Sequence, residues 1–257
     1  MIENNLKEFL DKKVDEYNQP FFIKGDPICV PHRFSKKQDI EIAAFFASIF
    51  AWGNRTTIIN KSNELMQLMD NAPHDFCLNH KSSSLKKLLG FKHRTFNATD
   101  LLYFIEFFKH HYSKNNSLEN AFSKWMKKND ETIEKGLTGF YHYFFSLVDA
   151  PPRTRKHIAS PEKKSSCKRL NMFLRWMVRN DNKGVDFGLW KKISPSQLVC
   201  PIDLHVARVG KRFGFVDRNQ TDWQSALELT NHLRNLDKND PVKYDFALFG
   251  LGVMEHY

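Results

Sequence analysis

Asp203 stands where an apolar run ends at Pro201 and a helix is due to begin, and His205, Arg208, Lys211 and Arg212 follow it. As N-cap to a helix over Leu204–Arg212 its carboxylate would meet free backbone N–H groups and the positive end of the dipole. An ionised carboxylate held among cations suits chemistry on a nucleic-acid backbone. The cations hold phosphate, and the acid stabilises positive charge developing on a sugar. The same residues also describe an ordinary capped helix with a basic face. Upstream, Lys168 opens another helix, whose apolar stripe is Leu170, Phe173, Leu174, Trp176 and Met177. The helix dipole and partial burial both favour a neutral, nucleophilic amine at such a position. A solvated lysine in a basic stretch is the alternative.

The elements that must position these groups read at helical period almost throughout. Residues 40–52 are apolar nearly all round, as in a helix buried on every side. Ile58, Ile59, Leu65, Met66 and Met69 make one face of the next helix. A helix over residues 101–108 follows a Thr99-Asp100 start signal, and Asn116-Ser117-Leu118-Glu119 resembles a capping box ahead of Phe122, Trp125 and Met126. Ile133, Leu137, Phe140, Tyr141, Phe144, Phe145 and Val148 form a long stripe. Ser194-Pro195-Ser196-Gln197 and Thr221-Asp222-Trp223-Gln224 announce two later helices, and Asp240-Pro241 opens the last one, which Gly250 and Gly252 end. Residues 151–164, polar, basic and proline-bearing, are the best linker candidate. There is no strand alternation and no repeat, so the fold class is all-α. Trp176, Trp190 and Trp223 read as core.

Composition narrows the function classes. In 257 residues Phe occurs 23 times and Gly only 11, which favours helices over a loop-rich β-fold. Lys plus Arg number 39 against 29 Asp plus Glu, a net charge of +10 that points to nucleic acid or another anionic surface. No apolar stretch reaches transmembrane length and the polar start is not a leader, so a cytoplasmic, nucleoid-associated protein is expected. Cys29, Cys77, Cys167 and Cys200 show no CxxC pair, so neither a disulfide nor a metal or cluster site is expected.

Lys168 in a helix-opening turn, followed by Pro201-Ile202-Asp203-Leu204-His205-Val206-x-Arg208-Val209, resembles the helix-hairpin-helix DNA glycosylase superfamily. Its members carry a lysine after a tight hairpin and then an Asp-x-His segment opening the next helix. The usual Gly-x-Gly turn is absent, and Ser165-Ser166-Cys167 stands in its place. The 35-position gap from Lys168 to Asp203 is similar to the extended connection of the archaeal 8-oxoguanine glycosylase branch. Residues 41–52 with Asn60-Lys61 look like the superfamily's early buried helix, and Leu89-Gly90-Phe91-Lys92-His93-Arg94 resembles its Leu-Gly-aromatic turn. The resemblance spans residues 40–257. The whole chain also looks like an uncharacterised bacterial family, a domain of unknown function near that superfamily, from which no activity carries over.

The resemblance implies a helix-hairpin-helix fold of two helical lobes. A central barrel over residues 38–180, ending in the Lys168 helix, would face a lobe of residues 1–37 plus 200–257 across a cleft. It implies a bifunctional DNA glycosylase with AP lyase activity that removes an oxidised purine without a cofactor. Lys168 would attack the sugar and Asp203 would support the cationic transition state. The base would be held by Asp245 and Phe249, four apart on the last helix, with Trp52 and Asn54. His205, Arg208, Lys211 and Arg94 would contact DNA. Core packing for Phe249 and Trp52, and a surface place for Asp245, are the plainer readings. The expected partner is double-stranded DNA containing a damaged base, bound by a monomer with no membrane involved. The rival is a non-catalytic nucleic-acid-binding protein on the same fold.

Overall fold

The computed structural model describes the backbone of residues 2–257 and the side chains of residues 5–257; the polar start read above lies partly outside them. The chain is mostly helical, as its periodicity requires, and divides into two compact units. One comprises Gly25–Met126 and Gly136–Ala159, the other Met1–Lys24, Lys127–Lys135 and Ser160–Tyr257. These bounds depart from the division read from the sequence, because the Lys168 helix folds with the C-terminal helices. Ser165 forms an antiparallel bridge with Asp222, and Lys168 pairs with Asp203.

The first unit is built on aromatic packing. In the helix Lys37–Ile49 every residue from Asp39 to Ile49 is buried, because the run offers no polar face. The Phe45 ring meets Phe108, Phe140 and Phe104 at 5.5, 5.7 and 6.0 Å, and Phe122 stacks on Phe140 at 4.1 Å. Such pairs add roughly 0.5–1.5 kcal/mol each beyond their area burial. Glu41 is one of the carboxylates buried in this core. It accepts from Tyr112 Oη (2.9 Å), Ser117 Oγ (2.5 Å) and the Leu118 amide (3.0 Å), which is how a buried carboxylate is tolerated. The expected capping box at 116–119 is only half formed. The helix Glu119–Ser123 has no side-chain cap at Leu118; Ser117 Oγ accepts the Glu119 amide (3.2 Å) and gives its own hydroxyl proton to Glu41.

Asp100 has a comparable role. The helix Ala98–Tyr112 starts just before the Thr99-Asp100 signal, and Asn97 with Asp100 forms its capping box. Asp100 also accepts from Arg153 (2.7 Å) and Thr154 (2.8 Å). The stretch read as a linker is thereby fixed in its first half. It forms a 3-10 turn, Pro152–His157, with Thr154 and His157 buried.

The second unit holds the helices Ile2–Tyr17, Lys168–Val178, Leu204–Arg212, Trp223–Leu236 and Tyr244–Phe249. Trp176, Trp190 and Trp223 are buried in it, as their patterns indicate. Ser194 and Gln197 do form a capping box, but around a single 3-10 turn, Pro195–Gln197. Beyond it the Cys200 amide donates to Thr230 Oγ1 at 3.0 Å, which takes the chain away from helix. At the C-terminus Asp240 does not cap, because its carboxylate binds Arg179. A 3-10 turn, Pro241–Lys243, leads into Tyr244–Phe249. Gly250 and Gly252 do not end this helix; it widens into a π-turn over Gly250–Met254. Gly250 is needed for close approach, since a Cβ there would lie 2.1 Å from the Tyr17 ring.

Candidate active site

Two turns of the second unit bring a lysine to a carboxylate. The turn before Lys168 contains two residues in the left-handed region, Lys164 (φ 59°) and Cys167 (φ 52°), where glycine would be least strained. It is held by its neighbours. The Trp223 amide donates to Lys164 O (3.3 Å), the Cys167 amide to Ser165 Oγ (3.2 Å), and Asn171 Nδ2 to Ser166 O (3.0 Å). Cys167 is buried, and burial pushes its thiol up to about 12, so it is an inert part of the turn. Lys168 follows as the first residue of its helix.

Asp203 divides its two oxygens between two tasks. Oδ1 accepts the amides of His205 (2.9 Å) and Val206 (3.0 Å), the N-cap expected from sequence. Oδ2 lies 3.0 Å from Lys168 Nζ. The Asp203 side chain is 20 % exposed and that of Lys168 36 %, so the pair reaches solvent. Burial raises the Asp203 carboxyl, but the Lys168 charge, the Val206 amide and the hydrogen bond from Lys168 outweigh it and hold the group below the usual carboxylate range. Asp203 is thus ionised at neutral pH and a weak base. It is suited to stabilising a cation and poorly suited to keeping a proton.

Arg175 lies seven residues after Lys168, on the same side of the helix. Its guanidinium bonds Asp245 Oδ2 and meets Asp186 Oδ1 at 3.3 Å. One turn on, Arg179 binds Asp186 (2.5 Å), Asp240 (2.9 Å) and Asp181 (3.0 Å). Both guanidinium groups lie over the Phe246 ring, at 4.3 and 5.5 Å. Burial pushes the Asp245 carboxyl up to about 6; Arg175 opposes this, while the Asp203 and Asp186 charges add to it. Burial alone would push the Arg179 guanidinium down, yet the three carboxylates around it hold it well above the ordinary arginine range. The same helix thus carries Lys168, paired with Asp203, at its start and Arg175, tied into this buried network, two turns on.

The sequence profile of a family described as "Protein of unknown function (DUF2400)" matches residues 26–254, which include the site and its network. The chain belongs to the DUF2400 family. No curated protein and no solved structure matches it.

In this DUF2400 chain the other residues singled out from sequence have the following places. Asp245 is buried and held by Arg175, which replaces the surface position of the plainer reading. Phe249 is half-buried, edge-on to Phe22 at 5.8 Å. His205 and Lys211 are exposed; Lys211 reaches Asn219 Oδ1 at 3.0 Å. Arg208 fastens the C-terminal segment by donating to Gly252 O (2.8 Å) and Tyr257 O (3.0 Å). Trp52, Asn54 and Arg94 belong to the other unit. There the half-buried Trp52 stacks on His157 at 6.0 Å, exposed Asn54 caps the helix Arg55–Leu68 through Thr57 N (3.1 Å), and exposed Arg94 lies over Gly53.

Sequence reasoning missed Arg175, Arg179, Asp186 and Asp240. The available signal was Arg175 seven positions after Lys168 on an otherwise apolar stripe. Among the described residues no group of three or more His, Cys, Asp or Glu could hold a metal ion, and no helix is long and apolar enough to cross a membrane. The Lys168–Asp203 pair offers an amine with a carboxylate held ionised beside it, and exposed Arg208 and Lys211 lie further along the helix that Asp203 caps.

Proposed function

We propose that this protein is a DNA glycosylase with AP lyase activity, of helix-hairpin-helix kind, acting on a damaged base, most simply an oxidised purine. The observation that carries the reading is Lys168 Nζ at 3.0 Å from an Asp203 carboxylate anchored to a helix N-terminus. The target nucleotide must leave the stack to be reached. Lys168, after losing a proton to solvent, attacks C1′. The bond from C1′ to the base breaks, and the base departs with the bonding pair and takes up a proton. The charged Asp203 stabilises the oxocarbenium character that develops on the sugar. Nζ then loses its second proton as the sugar ring opens to a Schiff base. Removal of a C2′ proton and departure of the 3′ phosphate by β-elimination cut the strand, and water releases Lys168.

In this reading Phe249 offers a ring face to the extruded base, and Asp245, whose Oδ2 is taken by Arg175, would turn its other oxygen toward it. His205, Lys211 and Arg94, with what Arg208 has to spare, meet phosphates. The partner is double-stranded DNA with a damaged base, met by a monomer in the cytoplasm at the nucleoid.

Borohydride trapping on duplexes carrying a panel of lesions tests the reading. A covalent protein–DNA adduct on at least one duplex is expected, and none on any duplex would overturn it. A second reading, a non-catalytic nucleic-acid binder, is favoured by one observation. The Cys167 amide is spent on Ser165 Oγ and so is not offered to a phosphate. That protein would bind DNA with a log–log salt slope of about −0.9 per phosphate contact and never form the adduct.

A further inference from the structure

Trp125 is the one tryptophan of five that is exposed, at 42 %. In the sequence it continues the apolar stripe of Phe122, but the helix Glu119–Ser123 stops short of it and the ring stays outside. The ring is fixed there. Its Nε1 donates to Ala121 O at 3.0 Å, and Gly139 gives it room, since a Cβ at that position would run into the indole. With its one donor spent inside the chain, the indole has only ring surface left to offer. Beside it lies Lys124, whose Nζ is 4.7 Å from the Trp125 ring centroid and 3.4 Å from that of Tyr143. Tyr143 is held in turn by Phe107, edge-on at 5.3 Å, and by His111 Nδ1, 3.2 Å from its hydroxyl. Among the described residues no carboxylate pairs with Lys124, and partial burial pushes its ammonium down. Cation–π contacts attract an ammonium without neutralising it. The patch therefore keeps an uncompensated positive charge next to a rigid aromatic surface. Exposed ring surface alone would suit a protein partner; the charge beside it, on a chain of net charge +10, selects an occupant that is both flat and anionic. Bases inside a duplex keep their faces stacked on one another, whereas those of a single strand are free to stack on an aromatic ring while the backbone meets a cation.

We propose that Trp125 and Lys124 form a stacking platform for single-stranded nucleic acid, Trp125 taking the face of a base and Lys124 the adjoining phosphate. The platform lies in the unit that holds Gly25–Met126, not in that of Lys168, and does not rest on the glycosylase reading. The test is binding of a fluorescently labelled twelve-nucleotide oligothymidylate, followed by anisotropy over a range of salt concentrations. Wild type should bind it. Trp125→Leu keeps an apolar side chain against Gly139 but offers no ring, and should weaken binding roughly 5- to 150-fold, the range for one lost base–aromatic stack. Trp125→Phe, which restores a ring, should bind within a few-fold of wild type. Lys124→Gln should lessen the log–log salt slope by about 0.7, the share of one phosphate on a single strand. No binding by wild type, wild-type affinity in Trp125→Leu, or Trp125→Phe binding as weakly as Trp125→Leu would overturn the platform. So would a dimer, seen by sedimentation, that Trp125→Leu breaks while leaving oligothymidylate affinity unaltered, which would make this surface a protein contact. Adduct formation on lesion duplexes should be the same for Trp125→Leu and wild type, so the platform and the Lys168 chemistry fail separately.

Discussion

The helix Lys168–Val178 carries two cation–carboxylate contacts seven residues apart, Lys168–Asp203 and Arg175–Asp245. The first joins a lysine, which can lose its proton, to a carboxylate held below its usual range, and both reach solvent. The second joins an arginine, which cannot, to a buried carboxylate raised to about 6. Charges alike in sign serve different ends according to depth. A fixed, sealed guanidinium can organise a core, whereas an exposed amine beside an ionised acid can be spent on a substrate. The contrast separates the part of the molecule expected to do chemistry from the part expected to hold it in place.

The largest effect is expected on the buried side. Arg175→Met removes the cation from Asp245 and Asp186 at similar volume. Leaving buried carboxylates without a partner should cost about 3–5 kcal/mol of stability, read by urea unfolding; a loss below about 1 kcal/mol would mean the network is not structural. On the exposed side, Asn caps helices about as well as Asp. Asp203→Asn should therefore keep the fold within about 1 kcal/mol. Turnover should nevertheless fall about 10²–10³-fold, the usual scale for one lost electrostatic stabiliser. Near-normal excision by that variant would reduce Asp203 to a cap.

The smallest effect is expected in the pH dependence of stability. Asp245 holds its proton more tightly folded than unfolded, so the stability it contributes is present below its ordinary value and is lost as pH rises toward about 6. Asp203 runs the other way, since its contribution is present above the ordinary value and is lost in more acid solution. Between about pH 4 and 6 the urea midpoint of wild type should fall relative to that of Asp245→Asn. Parallel curves for the two proteins would count against the buried carboxyl.

How far this contrast could be read from sequence follows the range of the interactions. Asp203 as N-cap, Lys168 at a helix start, the helix around Phe45 and the three core tryptophans are local signals, written within a few turns, and the structure has them. Arg175 and Asp245 lie 70 positions apart, and nothing local marks either as a partner of the other. Glu41 sits in an apolar run whose pattern conceals that Tyr112, Ser117 and Leu118 will converge on it. The cap signal was read correctly at Ser194, and the one at Thr221–Gln224 falls a residue later, on Asp222; but a cap says where a helix starts and not how long it runs, so the Ser194 box yields one turn. Asp240 failed as a cap because Arg179 competes for its carboxylate.

The central claim, that Lys168 is the nucleophile, is tested most directly by borohydride trapping of wild type and Lys168→Gln on the same lesion duplex, with DNA affinity measured alongside. Wild type should form an adduct and Lys168→Gln none, at affinities within a few-fold of each other. Undiminished adduct with Lys168→Gln would contradict it and move the chemistry to another lysine, Lys163 or Lys164 being nearest in the turn.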